Sequence, residues 1–138
     1  MKFTTAAAVG AYLPAGGPPD SLDVDLVNPS SSNSSVFGGQ VLALQINVDF
    51  SAQNITGNGP IGALVLCNVG VTVNQVLADA NTVLGGGALP SYVTSISDLN
   101  DLADNLNNAS TTGWTPVGRK SISAGHRLAN KRPVIREA

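Results

Sequence analysis

Residues 71–87 have the sequence VTVNQVLADANTVLGGG, and this stretch predicts an amphipathic α-helix with a defined beginning and end. Thr72 and Gln75 have the spacing of a capping box, in which the two side chains satisfy free N–H groups of the first turn. The glycines at 85–87 provide a left-handed stop. The predicted helix covers 72–84, and its apolar stripe consists of Val73, Val76, Leu77, Ala80 and Leu84.

A second helix is predicted over 97–107, within the stretch SISDLNDLADNLNNAS at 95–110. Ser97 has the side chain of an N-cap residue. Asp98 falls in the first turn, where the helix dipole favours a negative charge. The apolar stripe consists of Leu99, Leu102, Ala103 and Leu106, at the i, i+3, i+4, i+7 spacing of one helix face.

Residues 36–51, VFGGQVLALQINVDFS, fit two patterns. Apolar residues at even positions from 42 to 50 alternate with smaller or polar ones, which is the period of a strand. Phe37, Val41, Leu44 and Val48 also follow helical spacing, with Ser34 or Ser35 as N-cap. The residues alone slightly favour the strand and leave both structures open.

The rest of the chain up to residue 118 adds one short helix and long loops. Thr5 can cap a helix with Val9, Tyr12 and Leu13 on one face, and Pro14 ends it. Residues 14–35 are rich in Gly, Pro and Ser, and residues 63–67 are predicted to be buried and extended. The chain is therefore predicted to be mainly α, with about four helices, long Gly/Pro/Ser-rich loops and one short extended piece near 63–67. The predicted core comprises Val9, Leu13, Val41, Leu44, Val48, Leu64, Leu66, Val73, Val76, Leu77, Ala80, Leu84, Leu99, Leu102 and Leu106.

Charge divides the 138 residues into two parts. Residues 1–118 contain one lysine and eight aspartates, a formal charge of −7, whereas residues 119–138 contain six basic residues and one glutamate, a formal charge of +5. The first part is predicted to be an acidic globular module, and the second a basic, disordered tail. The tail lacks the interleaved aromatic residues and the amphipathic stripe of a nucleic-acid or membrane-surface anchor, so no nucleic-acid partner is predicted.

The residue types present exclude several kinds of chemistry. The only histidine, His126, lies in the tail, so the body can form neither a histidine-based catalytic triad nor a Cys/His zinc site. Cys67, the only cysteine, cannot form an intrachain disulfide and is predicted to be a buried small hydrophobe. No apolar run is long enough for a membrane span. We predict that the protein is not an enzyme and has no cofactor.

One helix face carries the candidate ligand-binding residues. Asp98, Asp101 and Asn105 fall at i, i+3 and i+7 of the helix at 97–108, and such oxygen donors suit Ca²⁺ or the hydroxyl groups of a carbohydrate. No calcium-loop motif surrounds them, and a hydrated helix surface explains the same spacing. These three residues are the candidate metal ligands, and ligand binding is the alternative function.

Four segments together resemble a helical module that recurs in large bacterial secreted and surface proteins, many of which carry HYR- or PKD-type repeats. The segments, in chain order, are TTAAAVGAYLPAGGPPDSL at 4–22, VFGGQVLALQINVDFS at 36–51, GVTVNQVLADANTVLGGGALP at 70–90 and SISDLNDLADNLNN at 95–108. The resemblance covers residues 4–108. It implies a helix over 36–50, which decides the ambiguity in that direction.

The resemblance also implies a function and a setting. It suggests a non-enzymatic structural or adhesive accessory module at the bacterial cell surface or outside the cell. Its partners would be other domains of a larger surface protein, or a surface ligand. The beginning of this chain lacks the pattern of a signal peptide, so the resemblance further implies a fragment of a longer protein.

Overall fold

Four α-helices provide most of the regular structure in the part of the chain that the computed structural model describes, which is residues 1–57, 59–67, 69–111 and 135–136. The prediction of a mainly α fold is confirmed. The helices are α1 (Ala6–Tyr12), α2 (Ser35–Ala52), α3 (Val73–Leu84) and α4 (Ile96–Thr111). Helices α2, α3 and α4 pack against one another, and the α2–α4 interface is the most extensive of the three.

A small antiparallel sheet contains two strands that lie between α2 and α3 in the chain order and a third that follows α4. Strands β1 (Val65–Leu66) and β2 (Val71–Thr72) form a hairpin, and β1 confirms the predicted extended piece near 63–67. Strand β3 (Ile135–Arg136) pairs with the other edge of β1, which gives the order β2-β1-β3. Except for β3, the predicted disordered tail at 119–138, including His126, lies outside the described residues.

The ambiguous segment at 36–50 is helical, as the resemblance implied. Phe37, Val41, Leu44 and Val48 are all buried, whereas Phe50 from the alternating set is 48% exposed. Burial therefore follows the helical period rather than the strand period. The slight preference of the residues alone for a strand is wrong, because alternation cannot show which of two overlapping apolar sets has a packing partner.

The predicted core is largely confirmed. Of the fifteen predicted residues, all but Val9, Leu13 and Leu64 belong to the buried cluster, and Leu64 packs against it while partly exposed. Val9 and Leu13 are only half-buried because α1, with seven residues, contributes a single buried side chain, Tyr12. The cluster also contains residues that the predicted core omits: Phe37 and Ala103, which lie on the predicted apolar stripes, and Ile61, Val83, Val93 and Ala109, which no pattern marked.

The caps of α1 and α3 lie where the sequence predicts. The Thr5 hydroxyl accepts from the Ala8 N–H at 3.1 Å, and the Thr72 hydroxyl accepts from the Gln75 N–H at 3.1 Å. The Gln75 side chain does not complete the capping box, because it donates to Asp79 instead. At the other end of α3, Gly86 has a φ of +87°, as expected for the predicted left-handed stop.

Helix α4 begins earlier and ends later than predicted. The cap is Ser95, whose hydroxyl accepts from the Asp98 N–H at 3.0 Å, so the assignment of Ser97 as N-cap is wrong. Ser97 lies inside the first turn because the helix already begins at Ile96. The helix continues past 107 because Ala109 is buried and extends the apolar stripe by one more turn.

Cys67 is exposed, so the prediction that it is buried is wrong. The preceding residue, Leu66, is fully buried in β1. Successive side chains of a strand point to opposite sides. Placing Leu66 in the core therefore directs Cys67 outward, at the start of the turn that leads to β2.

Candidate functional site

The three predicted ligand residues on α4 have separate structural surroundings. One carboxylate oxygen of Asp98 accepts from both the N–H (3.1 Å) and the hydroxyl of Thr94. The Asn105 amide donates to the backbone carbonyl of Asp101 at 2.8 Å. Asp98 and Asn105 are separated by about 10 Å of helix rise. Within the described ranges, no group of three His, Cys, Asp or Glu side chains is placed to hold a metal ion.

A second part of the same Asp/Asn-rich helix faces α2 and forms a polar interface with it. The Gln40 amide donates to Asp104 at 2.9 Å. The Asn107 amide donates to the backbone carbonyl of Gln40 at 3.0 Å and to its Oε1 at 2.7 Å. The Asn47 amide in turn donates to Asn107 Oδ1 at 2.9 Å. These side chains therefore hold α2 and α4 in one register.

Asn100 lies on the same helix two turns before Asn107 and is only 9% exposed. Its Oδ1 is buried and accepts no hydrogen bond from any residue that the structure describes. A buried acceptor without a donor costs free energy, because it has lost its water and gained no replacement. Asn100 is therefore part of the interior of the fold, but its side chain stabilises the folded state less than that of Asn107 does.

A shallow depression of about 400 Å³ lies beside the beginning of α3 and is dominated by Asp79 and Tyr92. The Tyr92 hydroxyl donates to Asp79 Oδ2 at 2.7 Å, and the Gln75 amide donates to Asp79 Oδ1 at 3.3 Å. Burial raises the pKa of Tyr92, and the hydrogen bond to Asp79 and its negative charge raise it further. Both oxygens of Asp79 are thus engaged in holding the α3–α4 linker against α3.

Another depression is a groove of about 440 Å³ on a different flank of α2 from the one that packs on α4. Four segments line it: the N-terminal residues 1–3, the loop at 22–25, the middle of α2 and the end of α3. We call it the N-terminal groove. Its polar lining comes from Asp23, Asp25, Gln45 and Asn81, whereas Phe3 and several aliphatic side chains form its apolar part.

Hydrogen bonds fix the loop that forms one wall of the N-terminal groove. The Leu22 N–H donates to the Leu84 carbonyl at 2.8 Å, which ties the loop to the end of α3. The Asn33 amide donates to the Ser21 carbonyl at 2.7 Å, and its Oδ1 accepts from the Asp23 N–H at 3.3 Å. A parallel bridge between Lys2 and Val27 ties the same loop to the N-terminal residues. The groove is therefore pre-formed.

The polar side chains of the N-terminal groove present acceptor oxygens. The amide groups of Gln45 and Asn81 donate within their own helices, to Asp49 at 3.0 Å and to a backbone carbonyl at 3.0 Å respectively. Their Oε1 and Oδ1 atoms accept nothing from the described residues, and neither do the carboxylates of Asp23 and Asp25. A ligand in this groove would therefore have to supply the hydrogen-bond donors.

Sequence reasoning did not find the N-terminal groove. It treated residues 22–26 only as part of the Gly/Pro/Ser-rich loop at 14–35. The sequence of this segment does show a pattern, because its apolar residues alternate with Asp23 and Asp25. What the sequence lacked was the pairing of this loop with the N-terminal residues and α2, because those contacts cross 20 or more positions of the chain.

Comparisons of the chain with protein-family models, curated proteins and solved structures gave no match. Among the described residues, no helix has both the length and the apolar character needed to cross a membrane. These comparisons therefore supply no functional inference for this chain.

Proposed function

We propose that residues 1–118 form a non-enzymatic structural or adhesive accessory module of a bacterial extracellular or cell-surface protein. The single observation that carries the proposal is the use of the helix carboxylates and amides as internal connectors. Asp104 and Asn107 join α4 to α2, and Asp79 holds the linker through Tyr92. Side chains that in a hydrolase would converge on a substrate here stabilise the fold.

The composition of the chain supports the proposed setting. Only 12% of the residues are charged, and Asn, Ser and Thr are the most numerous of the uncharged polar residues. The long loop between α1 and α2 is fixed by hydroxyl groups rather than by charges: the Tyr12 hydroxyl lies 2.8 Å from that of Ser32, which lies 2.6 Å from that of Ser34. Neutral contacts of this kind are insensitive to ionic strength, which suits a module exposed to a variable medium.

The proposed partners are other domains of a larger surface protein, or a ligand at the cell surface. Both follow from the resemblance of residues 4–108 to modules of large surface proteins. The alternative site at Asp98, Asp101 and Asn105 stays a proposal. Thermal unfolding of the full chain with Ca²⁺ and with a chelator tests its metal version, and equal midpoints in the two conditions would count against it.

Cell-surface labelling tests the main proposal. Antibodies against the purified chain would be applied to intact and to permeabilised cells of the bacterium that carries the gene, with a cytoplasmic enzyme as control. We expect labelling of intact cells that added protease removes while the control enzyme survives. Labelling that appears only after permeabilisation would overturn the proposed location.

A further inference from the structure

We propose that the N-terminal groove binds a neutral saccharide, and this inference rests on the adhesive role proposed above. The groove volume of about 440 Å³ lies within the range of roughly 300–1,000 Å³ that small-ligand sites occupy. It is an ordered site on the surface of the module rather than a part of the hydrophobic core. It also combines an apolar wall with several polar groups, which small-ligand sites require.

The hydrogen-bonding groups of the groove select for a ligand with many donors. Asp23, Asp25, Gln45 and Asn81 offer acceptor oxygens, as described above, and they come from three different segments. A sugar carries hydroxyl groups around its ring, each of which can donate to one of these oxygens while it accepts from water. The acceptors are dispersed around the groove, so a ligand with dispersed donors matches them.

A compact cation matches this lining less well. Asp23 and Asp25 are exposed, so water and salt screen their attraction for a single positive charge. The two amide oxygens carry no net charge and lie on the helices that form the opposite side of the groove. A cation bound at the aspartates would leave these amides and the apolar wall unused.

The apolar wall suits the C–H face of a sugar ring. Phe3 lines the groove together with Leu42 and Leu84. Its ring packs at 5.2 Å and 55° against the ring of Tyr12, so its orientation is fixed. Val24, on the loop side, is 62% exposed. The groove is therefore open along that side, so a sugar unit within a polymer can enter without a free chain end.

Titration of the isotope-labelled full chain, followed by heteronuclear NMR, tests the inference. The probes are maltose, lactose, cellobiose and N,N′-diacetylchitobiose, with spermidine as a cationic comparison. We expect at least one disaccharide to shift the amide signals of the groove residues in a saturable way. The inference is overturned when none of the four does, or when the shifted signals map to another surface.

Paired variants separate hydrogen bonding from charge. Asp23→Ala/Asp25→Ala removes the acceptors and should weaken saccharide binding by about tenfold or more. Asp23→Asn/Asp25→Asn keeps an acceptor at each position and removes only the charge, so the dissociation constant should stay within about threefold. Asp20→Asn, which removes one exposed charge from the same loop outside the groove lining, is the matched control and should leave binding unchanged.

Two results would contradict the saccharide assignment at this site. One is spermidine binding that the Asn pair abolishes, since this would identify a cation site. The other is disaccharide binding that the Ala pair leaves intact. A Gln45→Leu variant repeats the acceptor test on α2, away from the loop. Cell-surface labelling is independent of these titrations. If intact cells are labelled but the chain binds no disaccharide, only the proposed saccharide site is refuted. If the chain binds a disaccharide but labelling requires permeabilised cells, only the proposed location is refuted.

Discussion

Asn107 is the residue whose replacement should most clearly show how α2 and α4 are held together. It is 9% exposed, and its amide donates two hydrogen bonds to Gln40. Its Oδ1 accepts a third bond, from Asn47. The substitution Asn107→Ala removes these three hydrogen bonds. The polar atoms of Gln40 and Asn47 that formed them then stay in a half-buried interface without Asn107 as a partner.

The magnitude of the loss follows from these three bonds. Each contributes about 1 kcal/mol net to the free energy of unfolding. Alanine favours the helix over asparagine by roughly 0.6 kcal/mol, which offsets part of the loss. We therefore expect Asn107→Ala to lower the free energy of unfolding by about 2–3 kcal/mol, a large share of the ~5–15 kcal/mol typical of one domain.

Urea denaturation of the full chain, followed by far-UV circular dichroism, measures this loss. The matched control is Asn105→Ala on the same helix, because among the described residues the Asn105 amide bonds to one group, a carbonyl one turn earlier. We expect the control to change stability by less than about 0.5 kcal/mol. The double variant with Asn47→Ala should show a coupling of about 1 kcal/mol. Equal losses for Asn107→Ala and Asn105→Ala, or strictly additive effects with Asn47→Ala, would refute the argument.

Four further substitutions test other features of the fold. Asn100→Leu removes the buried oxygen that has no donor among the described residues, so chemical denaturation should show a free energy of unfolding that is higher by about 0.5–2 kcal/mol. A lower free energy of unfolding would mean that this oxygen does accept a hydrogen bond. Gly38→Ala would place a Cβ 2.3 Å from the Ser34 hydroxyl and should cost about 1–3 kcal/mol in the same assay. Gly10→Ala adds a Cβ that meets nothing within 4 Å, so it should raise the free energy of unfolding by about 0.5–1 kcal/mol. Equal effects of the two glycine substitutions on stability would contradict the steric argument. For Tyr92, the raised pKa means that the hydroxyl keeps its proton more strongly in the folded state than in the unfolded state. The stabilisation that this hydroxyl contributes to the folded state is therefore complete below the unfolded pKa of about 10, and it is lost progressively as the pH rises above that value. The difference in unfolding free energy between the native protein and Tyr92→Phe should therefore shrink above about pH 10, and a difference that does not change with pH would contradict this.

The sequence predicted those parts of the fold whose signals are local. Thr5 and Thr72 cap their helices as predicted, because a capping bond spans only three residues. The segment 36–50 was decided by resemblance, since its two apolar patterns overlap and only packing distinguishes them. Ser34 illustrates the limit: its hydroxyl joins Tyr12 and Ser32 instead of capping α2, and the sequence contains no sign of that long-range contact.

The candidate sites depended even more on long-range contacts. The sequence marked the Asp/Asn residues of α4 but could not show which of them face another helix. Asn107 and Asp104 have partners 67 and 64 positions away, so their use in the α2–α4 interface follows from tertiary packing alone. The N-terminal groove went undetected for the same reason, because its lining is assembled from four separate segments.

The three amide side chains of the α2–α4 interface, which lie beside the single carboxylate of Asp104, explain how a chain with so little charge can use polar residues in its interior. An amide supplies both donors and an acceptor, so Gln40, Asn47 and Asn107 can satisfy one another without the desolvation cost of buried charges. These amides are already hydrogen-bonded within the interface. The polar atoms of α2 that can bind a ligand therefore lie on its other flank, where Gln45 lines the N-terminal groove. Helix α2 thus separates the two roles: one side holds the fold together, and the other presents the acceptors to which we assign saccharide binding.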